Sequence, residues 1–162
     1  MKKSRKSQSG HGRSKTNNYK EGGVILTEIC AELRNWFVVP NGVHIQTYTI
    51  SGGSIAPLDF LQEGQYFRII GSVFNDGVHQ YPASDLTDEV FHGAVWAMAV
   101  PPAVIALAAE IEEYNKSDAG KASPYISENF GGYGYTKATG SNGKVLTWKS
   151  VFADALNRCR KL

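Results

Sequence analysis

Two adjacent prolines, Pro101 and Pro102, stand in the middle of the longest apolar run of the chain, residues 94–109. Proline lacks a backbone N–H, fixes φ and pushes the preceding residue out of the helical region, so no continuous helix crosses this run. A membrane-spanning helix needs about 18 or more uninterrupted apolar residues, and no stretch supplies them. The run is therefore divided between two elements, since a proline that stops one helix suits the first turn of the next. Upstream, Thr87 is a good N-cap type, Asp88 and Glu89 suit the positive end of a helix dipole, and Val90, Phe91, Ala94, Val95 and Met98 recur at helical spacing. These features predict a helix over 87–98. Downstream, Val104, Leu107, Ala108, Ile111 and Tyr114 predict a second helix over 102–114, with a polar stretch after it.

The same reading places a first helix from Thr27, with Ile29, Leu33, Trp36 and Phe37 on one stripe and Pro40-Asn41-Gly42 as its stop. Residues 43–78 then read as β: alternation begins at Val43, Ser51-Gly52-Gly53 makes a turn, residues 66–71 form a strand, and Asn75-Asp76-Gly77 is a tight-turn signal. Residues 125–137 read as a hairpin around Gly131-Gly132. The last helix is capped by Thr147 and carries Trp148, Val151, Phe152, Ala155, Leu156 and Cys159 on one face. A chain of 162 residues holds one core of this kind rather than two. The expected fold is α+β: a helical bundle of about four helices, with a small antiparallel β subdomain inserted after the first helix and a hairpin before the C-terminal one. The expected organisation is a basic arm over 1–24 and a single domain over 25–162. That domain comprises a β-rich part at 43–82, a helical part at 87–116, the hairpin at 124–137 and the C-terminal helix at 147–161.

Charge is divided unevenly along the chain. Residues 1–20 hold Lys2, Lys3, Arg5, Lys6, Arg13, Lys15 and Lys20 and no acid, which leaves ten basic groups against fifteen acidic ones beyond them. The arm has too little apolar surface to offset the entropy of ordering, so disorder is expected there. It reads either as a solubilising tail or as an electrostatic tether to phosphates or an acidic surface. Glu21-Gly22-Gly23 can also be encoded by a purine-rich stretch resembling a ribosome-binding site, which makes a start near Val24 to Leu26 a further expectation. Cys30 and Cys159 each fall on the apolar face of an expected helix, where a thiol behaves as a small hydrophobe. The basic start has no apolar segment after it of the kind a secretory signal carries, so the chain is expected to fold in the cytoplasm.

Patterns that carry catalysis or bind cofactors do not occur. No Gly-Lys-Ser or Gly-Lys-Thr closes a glycine-rich turn, and Gly52-Gly53 and Gly131-Gly132 lack the spacing of a dinucleotide fingerprint. Ser72 is not in a nucleophile elbow. No two of His11, His44, His79 and His92 have the spacing of helical metal ligands, and Asp76 beside His79 is better explained by the demands of a tight turn. Neither enzymatic chemistry, nor a cofactor, nor a metal is expected. Aromatic residues alternating with small ones across Tyr125, Phe130, Tyr133 and Tyr135, together with Glu128, suit a protein interface better than a cofactor site. Arg158, Arg160 and Lys161 close the chain where a helix end favours cations.

The stretch Ser123-Pro124-Tyr125-Ile126-Ser127-Glu128-Asn129-Phe130-Gly131-Gly132-Tyr133-Gly134-Tyr135-Thr136 resembles the Ser-Glu-x-x-Gly-x-Tyr-Ser segment of head-to-tail adaptor, or head-completion, proteins of long-tailed bacteriophages. Residues 67–78, with Gly71-Ser72-Val73-Phe74-Asn75-Asp76-Gly77, resemble a β unit of phage head–tail and prophage proteins. The resemblance covers roughly residues 26–162 and departs from the simplest adaptors in the extended β region after the first helix. It implies a structural virion protein of the neck, assembled in the host cytoplasm as a ring of about twelve copies beneath the portal protein. It further implies a stopper or tail-completion protein on the other side, and DNA passing through the channel without specific binding. An acidic body would let that DNA slide rather than grip it. A tail terminator or stopper is the alternative, and no membrane partner is expected.

Overall fold

The computed structural model describes residues 16–120, 127–130, 133–136, 139 and 146–160. In chain order the elements are α1 (Thr16–Leu33), β1 (Val38–Ser51), β2 (Ser54–Ala56), β3 (Tyr66–Ile70), β4 (Gly77–Gln80) and β5 (Glu89–Met98). There follow α2 (Pro102–Lys116), β6 (Ser127–Phe130), β7 (Tyr133–Thr136), α3 (Trp148–Val151) and α4 (Ala153–Cys159). Strands β1 to β5 form one curled antiparallel sheet, a half-barrel in the order β2-β1-β5-β3-β4, and β6 and β7 form a separate two-stranded ribbon. The expected helical bundle with a small β subdomain is thereby overturned: the fold is dominated by its sheet, and the helices around it are short.

The largest correction is the stretch expected as a helix over 87–98. It is β5, at the centre of the sheet between β1 and β3. Val90, Phe91, Ala94, Val95 and Met98 satisfy a 3.6-residue period, but Phe91, Val95 and Ala97 also satisfy a period of two, and those three are buried. Strand neighbours on both sides decide between the two. At Gly93 a Cβ would run into the backbone oxygen of Ile70 on β3, so the close approach of the two strands requires glycine. Thr87 is no N-cap; its backbone N–H donates to Asn75 Oδ1 and its carbonyl accepts from Asn75 Nδ2, at 2.7 and 2.9 Å.

The first helix also differs from expectation. It begins at Thr16, within the stretch read as an arm, and ends at Leu33, before Arg34 takes up left-handed φ (52°). Trp36 and Phe37 therefore lie beyond it. Pro40-Asn41-Gly42, read as its stop, is an irregularity inside β1, where the register on β5 shifts between the pairs Val38–Met98 and Val43–Trp96. Thr27, read as a cap, is in mid-helix, and its hydroxyl donates to the Gly23 carbonyl (2.7 Å) and accepts from the backbone N–H of Val78 on β4 (2.9 Å). Helix α1 thus closes the outer edge of the sheet. A Cβ at Gly23 would lie 2.6 Å from the Val78 carbonyl oxygen, so only glycine permits this contact.

Helix α2 forms as expected, with Pro102 in its first turn and Val104, Leu107, Ala108 and Ile111 buried. The C-terminal helix is divided at Phe152 into α3 and α4, with Leu156 its one fully buried residue, while Trp148 and Phe152 are only partly covered.

Two cores result. One joins α1, α2 and α4 over Val78 and Met98 and includes Ile29, Cys30, Leu33, Val104 and Ile111. Burial pushes the Cys30 thiol up to about 12, against the opposing pull of Arg68, so it stays protonated and inert. The other core fills the concave face of the sheet with Tyr48, Ile50, Phe67, Ile69, Phe91 and Val95, capped by Leu58, Leu61 and Leu86 from the connecting loops.

Candidate interaction surface

Strand alternation assigns every residue of β1, β3 and β5 to one of two faces. The concave face takes Tyr48, Phe67, Ile69 and Val95 out of water completely. The convex face takes the other parity, and the pairings run across it in rows: Arg68–Trp96–Val43, then Ile70–Ala94–Ile45, then His92–Thr47, then Val90–Thr49. Burial along β5 falls steadily on this side. Met98 is enclosed beneath α1 and α2, Trp96 and Ala94 are half-buried, His92 is exposed, and Val90 is 67% exposed. The helices cover only one end of the convex face. Val43 and Ile45 remain 47% and 69% exposed, a contiguous apolar surface on rigid strands rather than scattered single residues.

At the boundary between the covered and open ends, the Arg68 guanidinium lies 3.5 Å from the Trp36 ring centre and 5.0 Å from that of Trp96. Burial draws its pKa down, opposed by the neighbouring charge of Asp76. Its Nε is buried without a hydrogen-bond partner among the described residues. The stack holds Trp36 on the sheet after the chain leaves α1 and places the one fixed charge of the convex-face rows, Arg68, at their margin.

A second exposed apolar pair lies on the loop after β3. Ser72 and Asn75 are buried, although both are polar, because they are fully used. The Ser72 hydroxyl donates to Glu89 Oε1 and accepts the Asn75 N–H; the Asn75 amide bonds Thr87 through both ends and reaches Glu89 Oε1 at 2.7 Å; the Val73 N–H donates to Glu89 Oε2. His79 Nε2 donates to the Asn75 carbonyl at 2.8 Å. These donors, the Ser72 hydroxyl foremost, hold the Glu89 carboxyl below the usual carboxylate range. The loop is pinned from beneath, and its tip holds Val73 and Phe74 80% and 66% exposed. Phe74 also forms one wall of a cleft of about 660 Å³ beside Thr27, Val78 and Tyr81.

The residues singled out from sequence are distributed differently. Glu128 and Phe130 lie on β6, Tyr133 and Tyr135 on β7, and the register makes Glu128 the partner of Tyr135 and Phe130 the partner of Tyr133. Tyr125, Lys161 and the arm residues Lys2, Lys3, Arg5, Lys6, Arg13 and Lys15 lie outside the described residues. Arg158 is exposed, and Arg160 pairs with Glu32 of α1 at 3.3 Å, as Lys149 does at 3.0 Å, so these two cations tie the C-terminal helices to α1. Val43, Ile45 and Val90 are not legible as a surface in the sequence, because β1 is apolar at both parities and residues 89–98 also satisfy the helical period. Val73-Phe74 carried a legible signal: two large apolar residues inside a turn otherwise made of Gly, Ser, Asn and Asp.

No family model, curated protein or solved structure matches the chain.

Proposed function

We propose that this chain is a non-enzymatic structural subunit of the neck of a tailed bacteriophage, a head-to-tail adaptor that stands as a ring beneath the portal protein with DNA passing through its lumen. The observation that carries the reading is the open convex face of the sheet, where Val43, Ile45 and Val90 stay exposed beside Val73 and Phe74 on a pinned loop. Burying such rigid apolar surface against another protein costs little ordering entropy, which is what an assembly subunit requires. The loop that presents Val73 and Phe74 is the one whose sequence resembles phage head–tail proteins, and the β6–β7 ribbon is the segment that resembles the adaptors.

A tail terminator or stopper is the second reading, and the dominance of the sheet over the helices favours it. Cryo-electron microscopy of the chain mixed with its phage's portal separates the two. The adaptor reading expects a ring seated under the portal. A chain that ignores the portal and is found at the tail side of the neck would transfer the assignment to the second reading, and its absence from the particle would remove both.

A further inference from the structure

We infer that the β6–β7 ribbon of one copy docks on the open convex face of the sheet of the next copy; this deepens the assembly reading above and rests on it only for its place in the particle. Among the described residues the ribbon's two strands pair with each other and make no substantial contact with any other element. A lone two-stranded hairpin is at best marginally stable in water, so this one needs an external surface. The same chain leaves such a surface uncovered. Each strand of the ribbon has four residues and spans roughly 13 Å, which fits within the five-residue stretch of β5 from Ala94 to Val90 on the more open end of the convex face.

Composition and charge agree with that pairing. The ribbon's four-residue strands carry Phe130, Tyr133 and Tyr135, suited to rows built from Val43, Ile45, Ile70, Val90 and Ala94. Glu128 is the one charged residue in the two strands, and Arg68, at the margin of the facing rows, is the one residue of fixed charge there and of opposite sign. The two surfaces are different parts of one chain, so the contact is head-to-tail. Repetition of it generates a ring or a helical array, whereas packing two convex faces together would stop at a dimer.

The test is photo-crosslinking in the free full-length protein at rising concentration, with Ile45→p-benzoylphenylalanine and equal parts of ordinary and 15N-labelled chain. The expected product joins residue 45 to the tryptic peptide 122–137 in pairs that mix the two isotopes. Replacement of residues 127–136 by a Gly-Ser linker should abolish that product and leave the melting temperature unchanged. Crosslinks to 122–137 only within one isotope would show the ribbon folded onto its own sheet and overturn the inference. Crosslinks between two strands β1 or β5, or none at any concentration, would overturn it as well. The outcome is independent of the portal: chains that crosslink as expected yet never enter a phage particle would keep this contact and remove the neck assignment. Chains found in the neck without the crosslink would do the reverse.

Discussion

The two faces of the five-stranded sheet are built from alternate residues of the same strands and meet opposite fates. The concave face folds its own loops over itself: Tyr48, Phe67, Ile69 and Val95 are fully enclosed beneath Leu58, Leu61 and Leu86. The convex face is covered by α1 and α2 at the Met98 end, half-covered at Trp96 and Ala94, and left bare from His92 to Val90. One face supplies stability within the subunit, since burial of apolar area is worth about 25 cal/mol per Å². The other leaves the same kind of surface uncovered. Under the proposed assembly, folding and assembly fall to opposite parities of one strand pattern, and substitutions on the two faces should separate them.

The largest effect is expected on the concave face. Phe67→Ala removes a completely buried ring from the middle of β3 and should lower unfolding free energy by about 3–5 kcal/mol in urea denaturation. A loss under about 1 kcal/mol, the range of surface positions, would mean that the inner core is not packed as described. Next comes the pin beneath the exposed loop. Asn75→Ala strands the N–H and carbonyl of Thr87 and should cost about 1–3 kcal/mol, with faster amide exchange at Thr87 and Val73. Exchange that stays slow at both sites would show the loop held by other means.

Acid should loosen that pin without a substitution. The folded-state pKa of Glu89 is depressed, chiefly by the Ser72 hydroxyl. Its contribution is therefore complete above the ordinary carboxylate range and is lost as pH falls through the depressed value. Amide exchange at Val73 and Asn75 should rise in that low window and not before it, and Glu89→Gln should flatten the dependence. An unchanged profile in the variant would place the effect elsewhere. The smallest effect on folding is expected at the loop tip: Phe74→Ser should change stability by no more than about 0.5 kcal/mol. A larger loss in thermal melting would mark Phe74 as part of the core.

The turns and α2 were legible in the sequence because local chemistry decides them. Asn75-Asp76-Gly77 leads into β4, Ser51-Gly52-Gly53 joins β1 to β2, and Pro102 opens α2. The fold class was not legible, because residues 89–98 satisfy both periods and their assignment rests on partners more than twenty residues away in sequence, in β1 and β3. A misplaced central strand turned a sheet protein into an expected bundle. The open face was hidden for a related reason. In β1 both Val43 with Ile45 and Tyr48 with Ile50 are apolar pairs of opposite parity, and only the curl of the sheet and the position of α1 and α2 decide which pair is enclosed. Thr27 shows the same limit at a single residue: its hydroxyl is spent on Val78, 51 positions away, rather than on a helix start.

The central claim is that the bare half of the convex face serves assembly and not folding. The most direct measurement pairs the melting temperature of an Ile45→Asp, Val90→Asp double variant with its copy number in particles grown from a phage carrying it. The account predicts an unchanged melting temperature and particles that lack the chain. A stable variant present at the wild-type copy number would contradict it.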